Sequence, residues 1–220
     1  MTKYEAIERQ VKIPVNLILL NGILNIPENP IGIVIFAHGS GSSRFSPRNS
    51  FVAKELQKNG IATLLFDLLT EGEDQVYENR FDVDLLAERL KSVTKWVANE
   101  PTTKKLKIGY FGASTGSAAA IKAAAELENK ISALVSRGGR VDLAAAEVPN
   151  LRTPTLFIVG GNDPEVLEFN EIVFDKTVAD KKLIVVSNAT HLFEEEGALE
   201  EVSKAAAEWF LEYFVRNIGL

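Results

Sequence analysis

Cysteine is absent from this chain, which removes disulfides, thiolate metal sites and a cysteine nucleophile from consideration. Histidine is scarce. There are two, His38 and His191, so any chemistry that needs an imidazole has only these to draw on. Positive charge is in deficit: 24 Lys and Arg face 30 Asp and Glu, a formal net charge of −6 with a sequence pI near 5.2. Such a chain lacks the field that attracts nucleic acid or an anionic membrane, and neither is expected as a partner. Long apolar runs are missing too. "VNLILLNGILNIP" is broken by polar residues and glycine well short of a membrane span. "MTKYEAIERQVKIPV" has no apolar stretch of the signal-peptide kind, so a cytoplasmic location is the expectation. No repeat, low-complexity tract or linker divides the chain. Its 220 residues, 46% hydrophobic, suit one well-buried core, and a single domain over 1–220 is expected.

What is present is an alternation. "YEAIERQVKI" and "VNLILLNGILN" read as a hairpin divided at Pro14. "IGIVIFA" (residues 31–37) is continuous and β-branched, as a parallel strand buried on both faces should be. Helical "SFVAKELQKNG" follows, with Gly60 as its stop, then the buried strand "IATLLFD". "FDVDLLAERLKSVTKWVAN" places Val83, Leu86, Leu90, Val93 and Val97 at helical spacing. Strand "LKIGYFG", helix "STGSAAAIKAAAEL", strand "ISALVSR", short helix "VDLAAAEV", strand "TPTLFIVGG", helix "PEVLEFNEIVFDKTV", strand "KKLIVVS" and helix "ALEEVSKAAAEWFLEYFVRN" complete the chain. About eight strands and six helices in this order predict right-handed crossovers and a mostly parallel sheet covered on both faces.

In open α/β sheets ligands bind beyond the carboxyl ends of the strands. His38, Ser114, Asp163 and His191 all follow predicted strands. Ser114 lies in "GASTG", a G-x-S-x-G pattern at a strand-to-helix junction, where glycines permit a sharp turn and the helix N-terminus aims N–H groups at the serine. A phosphate loop and a plain packing turn are the other readings of those five letters. His191 is the candidate base, and Asp163 the candidate carboxylate that fixes its tautomer, in the chain order Ser–Asp–His. Glu165 competes with Asp163, and Asp163 before Pro164 also makes a good helix cap. The oxyanion donors expected are the backbone N–H groups of Thr115, directly after the serine, and Ser40, in "HGSGSS". His38 reads as a brace for that loop.

Arg44, Arg48, Arg137 and Arg140 gather on the predicted active face. They suit an anionic acyl substrate, because guanidinium forks bind carboxylate or phosphate. The competing reading is that they pair with local acids such as Asp142, Glu71 or Glu73 and brace loops. Glu71, Glu73 and Asp74 match no metal motif and read as a solvated loop, and Tyr77 and Phe81 read as pocket wall or core. No metal or cofactor is expected. A P-loop would need a lysine after Gly116, where Ser117 stands, and a Rossmann fingerprint would need different glycine spacing.

"FAHGSGSSRFSPRN", "ATLLFDLLT", "GYFGASTGSAAA", "VSRGGRVDLA" and "ATHLFEEEGALEEV" together resemble the dienelactone-hydrolase-like branch of the α/β-hydrolase superfamily. The resemblance implies an eight-stranded sheet with its second strand antiparallel, a Ser-His-Asp triad and hydrolysis of an ester or related acyl bond. Relatives often carry a lid between the sixth and seventh strands. Here residues 137–153 leave room for little beyond one helix, so no lid domain is expected. True dienelactone hydrolases use cysteine where this chain has Ser114, so dienelactone itself is not the substrate the sequence points to. The expected partner is a small acyl substrate taken by an esterase. A non-catalytic binding or scaffold protein on the same fold is the alternative, and the oligomeric state is open.

Overall fold

The computed structural model describes residues 6–216. Eight strands form one sheet: β1 (Ile7–Val15), β2 (Ile18–Ile26), β3 (Gly32–Ala37), β4 (Ile61–Phe66), β5 (Lys107–Ala113), β6 (Ile131–Arg137), β7 (Thr155–Gly160) and β8 (Lys181–Val186). Their spatial order is β1-β2-β4-β3-β5-β6-β7-β8. β2 runs antiparallel to both its neighbours, and all pairs from β4 onward are parallel. The helices are α1 (Pro47–Lys58), α2 (Glu71–Asp74), α3 (Val83–Asn99), α4 (Thr115–Leu127), α5 (Pro164–Lys176) and α6 (Ala198–Val215). This is the expected α/β-hydrolase architecture. Between β6 and β7 the chain makes only two short 3₁₀ turns, Val141–Ala144 and Val148–Asn150.

Period-two alternation splits the strands from β3 to β8 between two cores, while the buried side chains of β1 and β2 join only the first. In β3, Ile33, Ile35 and Ala37 face one cluster with α3 and α4, while Val34 and Phe36 face the other with α1 and α6. All six β3 residues are buried, which explains why that run carries no polar residue. The alanine-rich α4 sits deepest, with Ala118, Ala119, Ala120, Ala123 and Ala124 in the first cluster. Small side chains let its axis approach the sheet closely beneath Ser114.

Three local expectations change. Pro14 does not divide the hairpin: it lies inside β1, opposite Leu19, and the turn is at Asn16, whose φ is 52°. β1 is an edge strand, where a residue without an N–H is tolerated. "VDLAAAEV" is a 3₁₀ turn rather than a helix, and the acidic loop contains α2, closed by a reciprocal capping box between Thr70 and Glu73. The proposed strand residues Tyr4 and Glu5 and the helix residue Asn217 lie outside the described residues.

Candidate active site

Ser114 joins β5 to α4 with φ 51° and ψ −122°, a conformation that glycine adopts readily and L-residues rarely. Neighbouring backbone holds it there. Its N–H donates to the Arg137 carbonyl at 3.1 Å, and its own carbonyl accepts from Ser117 N at 3.0 Å and Arg140 N at 3.1 Å. The flanking glycines serve close approach. A Cβ on Gly112 would stand 2.5 Å from Ser117 Cα, and one on Gly116 would stand 2.2 Å from the Ala37 carbonyl oxygen.

The loop after β8 carries His191 to this turn. The buried Phe193 anchors the loop, and Asn162 fastens it to the loop after β7 by donating to the Ala189 and Asn188 carbonyls, each at 2.9 Å. His191 Nε2 is 3.1 Å from Ser114 Oγ, and its Nδ1 is 2.7 Å from Asp163 Oδ2. An ionised carboxylate only accepts, so Nδ1 carries the proton and donates to Asp163, leaving Nε2 to accept from the serine hydroxyl. Asp163 stands at the N-cap position of α5, yet its side chain caps nothing and is spent on His191. Glu165 is exposed in the first turn of α5 and makes no hydrogen bond to His191. The chain therefore assembles a serine, an imidazole and a carboxylate in a line from three strand ends.

The loop after β3 borders the same place. Ser40 N donates to Thr115 Oγ1 at 3.3 Å, so the two expected oxyanion residues are adjacent and the Ser40 N–H is engaged by the threonine hydroxyl. His38 braces the loop from within. Its Nε2 accepts from Leu68 N at 3.1 Å and its Nδ1 donates to the Gly39 carbonyl at 2.9 Å. Burial holds its pKa below the usual histidine value, so it is neutral in the folded protein.

A cleft of about 180 Å³ opens beside Ser114 and His191. The four candidate arginines divide around it. Arg48 and Arg137 line it. Arg44 instead pairs with Asp67 through both backbone and side chain and lies over Phe45, and Arg140 forms a two-pronged pair with Asp142 at 2.8 and 2.9 Å. Those two brace loops. Glu73 and Asp74 are likewise occupied, by Arg89 and Arg80, and the Tyr77 and Phe81 rings, neither of which lines the cleft, meet at a 53° tilt with centroids 5.2 Å apart. The sequence reading missed Ser46 and Asn49 as lining residues. The signal was present, because Ser46-Pro47 is a helix-start signature that places the first turn of α1 at this strand end. A roomier groove of about 820 Å³ lies at the opposite end of the sheet among Lys91, Lys95, Lys104, Lys107 and Lys130. It contains none of the serine, imidazole and carboxylate, and chemistry rather than size locates the site.

A strained serine on a strand-to-helix turn, within an eight-stranded sheet of this order, defines an α/β-hydrolase fold. Residues 20–216 match the profile of the dienelactone hydrolase family, and the chain belongs to that family. Its fold superposes on a dienelactone hydrolase from Anabaena variabilis with a TM-score of 0.92 and 49% identity, covering 96% of this chain and 99% of that one. Est1E from Butyrivibrio proteoclasticus shares the fold at a TM-score of 0.79 with 19% identity, over 93% and 98% of the two chains. A Mycobacterium tuberculosis H37Rv protein named "putative phosphoribosyl transferase" is 50% identical over 206 residues, 94% of this chain but 46% of the mycobacterial one. The chain thus spans about half the length of the curated relatives it matches. Among the described residues no helix is long and apolar enough to cross a membrane.

Proposed function

We propose that the protein is a serine hydrolase of esterase type that cleaves a small ester or related acyl bond through an acyl-enzyme. The observation that carries this reading is the continuous hydrogen-bond line from Ser114 Oγ through His191 to Asp163. His191 takes the hydroxyl proton as Ser114 attacks the carbonyl carbon, and Asp163 steadies the imidazolium that forms. The backbone N–H groups of Ser40 and Thr115 receive the developing oxyanion, the Ser40 N–H exchanging its bond to Thr115 Oγ1 for one to the oxyanion. His191 returns the proton to the leaving group. It then takes a proton from water, which attacks the acyl-enzyme and frees the acid and Ser114. Each oxyanion donor in such a site contributes about 10²–10³ in rate.

The experiment is covalent labelling. A fluorophosphonate probe should modify Ser114 in the wild type and nothing in Ser114→Ala, and hydrolysis of short 4-nitrophenyl esters should disappear in the same variant. A wild type that is neither labelled nor active would favour a binding or scaffold role for the fold. The phosphoribosyl transfer in the mycobacterial relative's name belongs, on this reading, to the portion of that protein which this chain does not span.

A further inference from the structure

The cleft next to Ser114 contains a buried cation without an anion. Arg137, the last residue of β6, is 6% exposed. Among the described residues no carboxylate lies within ion-pair distance of it. Among the described residues its guanidinium reaches only Asn49 Oδ1, at 3.5 Å, and the Phe193 ring, whose centroid is 5.5 Å away. Its Nε is fully buried and has no hydrogen-bond partner. The charged group beside it is another cation, Arg48. Burial first, and the Arg48 charge second, push the Arg137 pKa down to about 10, so it still carries its proton at neutral pH. Arg48 has one partner, Glu194 at 2.8 Å, whose side chain is 64% exposed, and its own Nε is buried and unpaired.

A buried, unpaired charge is among the costliest arrangements in a folded protein, and like charges beside it add to the cost. Arg44 and Arg140 show that this chain supplies acids to its other arginines on the same face. At Arg137 it supplies none. The surrounding groups also favour negative charge: Ser42 lines the cleft, as does the first turn of the twelve-residue helix α1 through Ser46, Arg48 and Asn49. All of this lies in one cleft with the serine hydroxyl and the imidazole.

We infer that Arg137 and Arg48 form an oxyanion-binding subsite, and that the natural substrate is a small ester or acyl compound carrying a carboxylate or phosphate group within a few bonds of the scissile carbonyl. This deepens the esterase reading and rests on it for the identity of the cleaved bond, while anion binding itself is independent of turnover. The cleft volume of about 180 Å³ limits the ligand to a compact one. The arriving anion accepts from the unpaired guanidinium N–H groups and competes with Glu194 for Arg48.

Two measurements test this. The first compares kcat/KM for 4-nitrophenyl hemisuccinate with that for 4-nitrophenyl pentanoate, which has similar length and no charge. The wild type should prefer the hemisuccinate, and Arg137→Met should lower that preference about 10- to 100-fold, the range for a charge-assisted pair; the preference is read as the ratio of the two kcat/KM values, so any loss common to both esters cancels. Arg137→Lys should recover part of the preference. No preference in the wild type, or one unchanged in Arg137→Met, would overturn the assignment. The second measurement covers the case in which Arg137→Met does not fold. Calorimetric titration of Ser114→Ala with succinate and with inorganic phosphate should show binding of at least one, weakened tenfold or more in Ser114→Ala/Arg48→Gln. Binding of one anion and not the other identifies the substrate's charged group. Binding of neither refutes the subsite. Anion binding by a protein whose Ser114 resists the fluorophosphonate leaves the subsite standing and removes the esterase.

Discussion

Replacing Ser114 by glycine should stabilise the protein while destroying its activity, and replacing it by alanine should destroy activity without that gain. The distinction isolates backbone strain. Both substitutions delete the hydroxyl and its hydrogen bond to His191, so that loss cancels between them. Alanine keeps the Cβ that makes φ 51° and ψ −122° costly, and glycine removes it. Strain of this kind costs about 1–3 kcal/mol. The extra freedom of glycine in the unfolded chain returns about 0.5–1 kcal/mol of that. The balance is about 1 kcal/mol in favour of glycine, which for a chain of this size raises the melting temperature by about 2–4 °C over the alanine variant. Glu128, at the end of α4, has almost the same backbone, φ 48° and ψ −121°, and is not part of the cleft. It serves as the control: Glu128→Gly should melt above Glu128→Ala by a similar margin with esterase activity unchanged. Differential scanning calorimetry of the four variants decides the matter. A Ser114→Gly protein that melts at or below Ser114→Ala would falsify the claim that this turn stores strain.

Gly116→Ala should lower both stability and turnover. The new Cβ meets the Ala37 and His38 carbonyl oxygens at 2.2 and 2.5 Å, so the end of β3 must move. Overpacking against backbone costs about 1–3 kcal/mol, and a displacement near 1 Å at the site costs about 10² in rate. Thermal melting and ester kinetics measure the two, and an unperturbed variant would refute the contact. His38 predicts a pH effect. Its folded pKa is lowered by burial, so the unfolded chain takes up its proton first. The stabilisation is then complete above the unfolded value of about 6.5 and is lost as pH falls through it toward the folded value, by at most about 1.4 kcal/mol per pH unit. Melting curves between pH 7 and 5.5 should fall less steeply for His38→Gln than for the wild type, and equal slopes would contradict a neutral, buried His38.

The element order was legible because β3, β4 and β5 are apolar runs buried on both faces and α3 keeps its apolar residues on one stripe. The hairpin boundary was misplaced because proline is a strand breaker only where its missing N–H would have been used, and sequence does not reveal that β1 is an edge. α2 was readable in principle from Thr70 and Glu73, three apart, but the density of acids around them suggested a loop. Ser114, Asp163 and His191 could be located because each follows a strand, and the topology brings strand ends together. The arginines could not be sorted the same way. Arg140 has its acid two residues away, whereas the acid for Arg44 is Asp67, 23 residues off at the end of β4, and nothing local marks Arg137 as the one left without a carboxylate.

The backbone bonds around Ser114 tie two design variables together. The segment that clamps the serine's N–H and carbonyl, through the Arg137 carbonyl and the Arg140 amide, is the segment that carries the Arg137 side chain. Changing the loop's path to admit a different ligand would therefore disturb the Ser114 turn. Retargeting by side-chain exchange at 137 alone leaves the clamp intact. On the proposed reading, the economical route to an engineered preference for neutral esters is a single substitution on a fixed main chain, and loop grafting between relatives at this position should be the costly one.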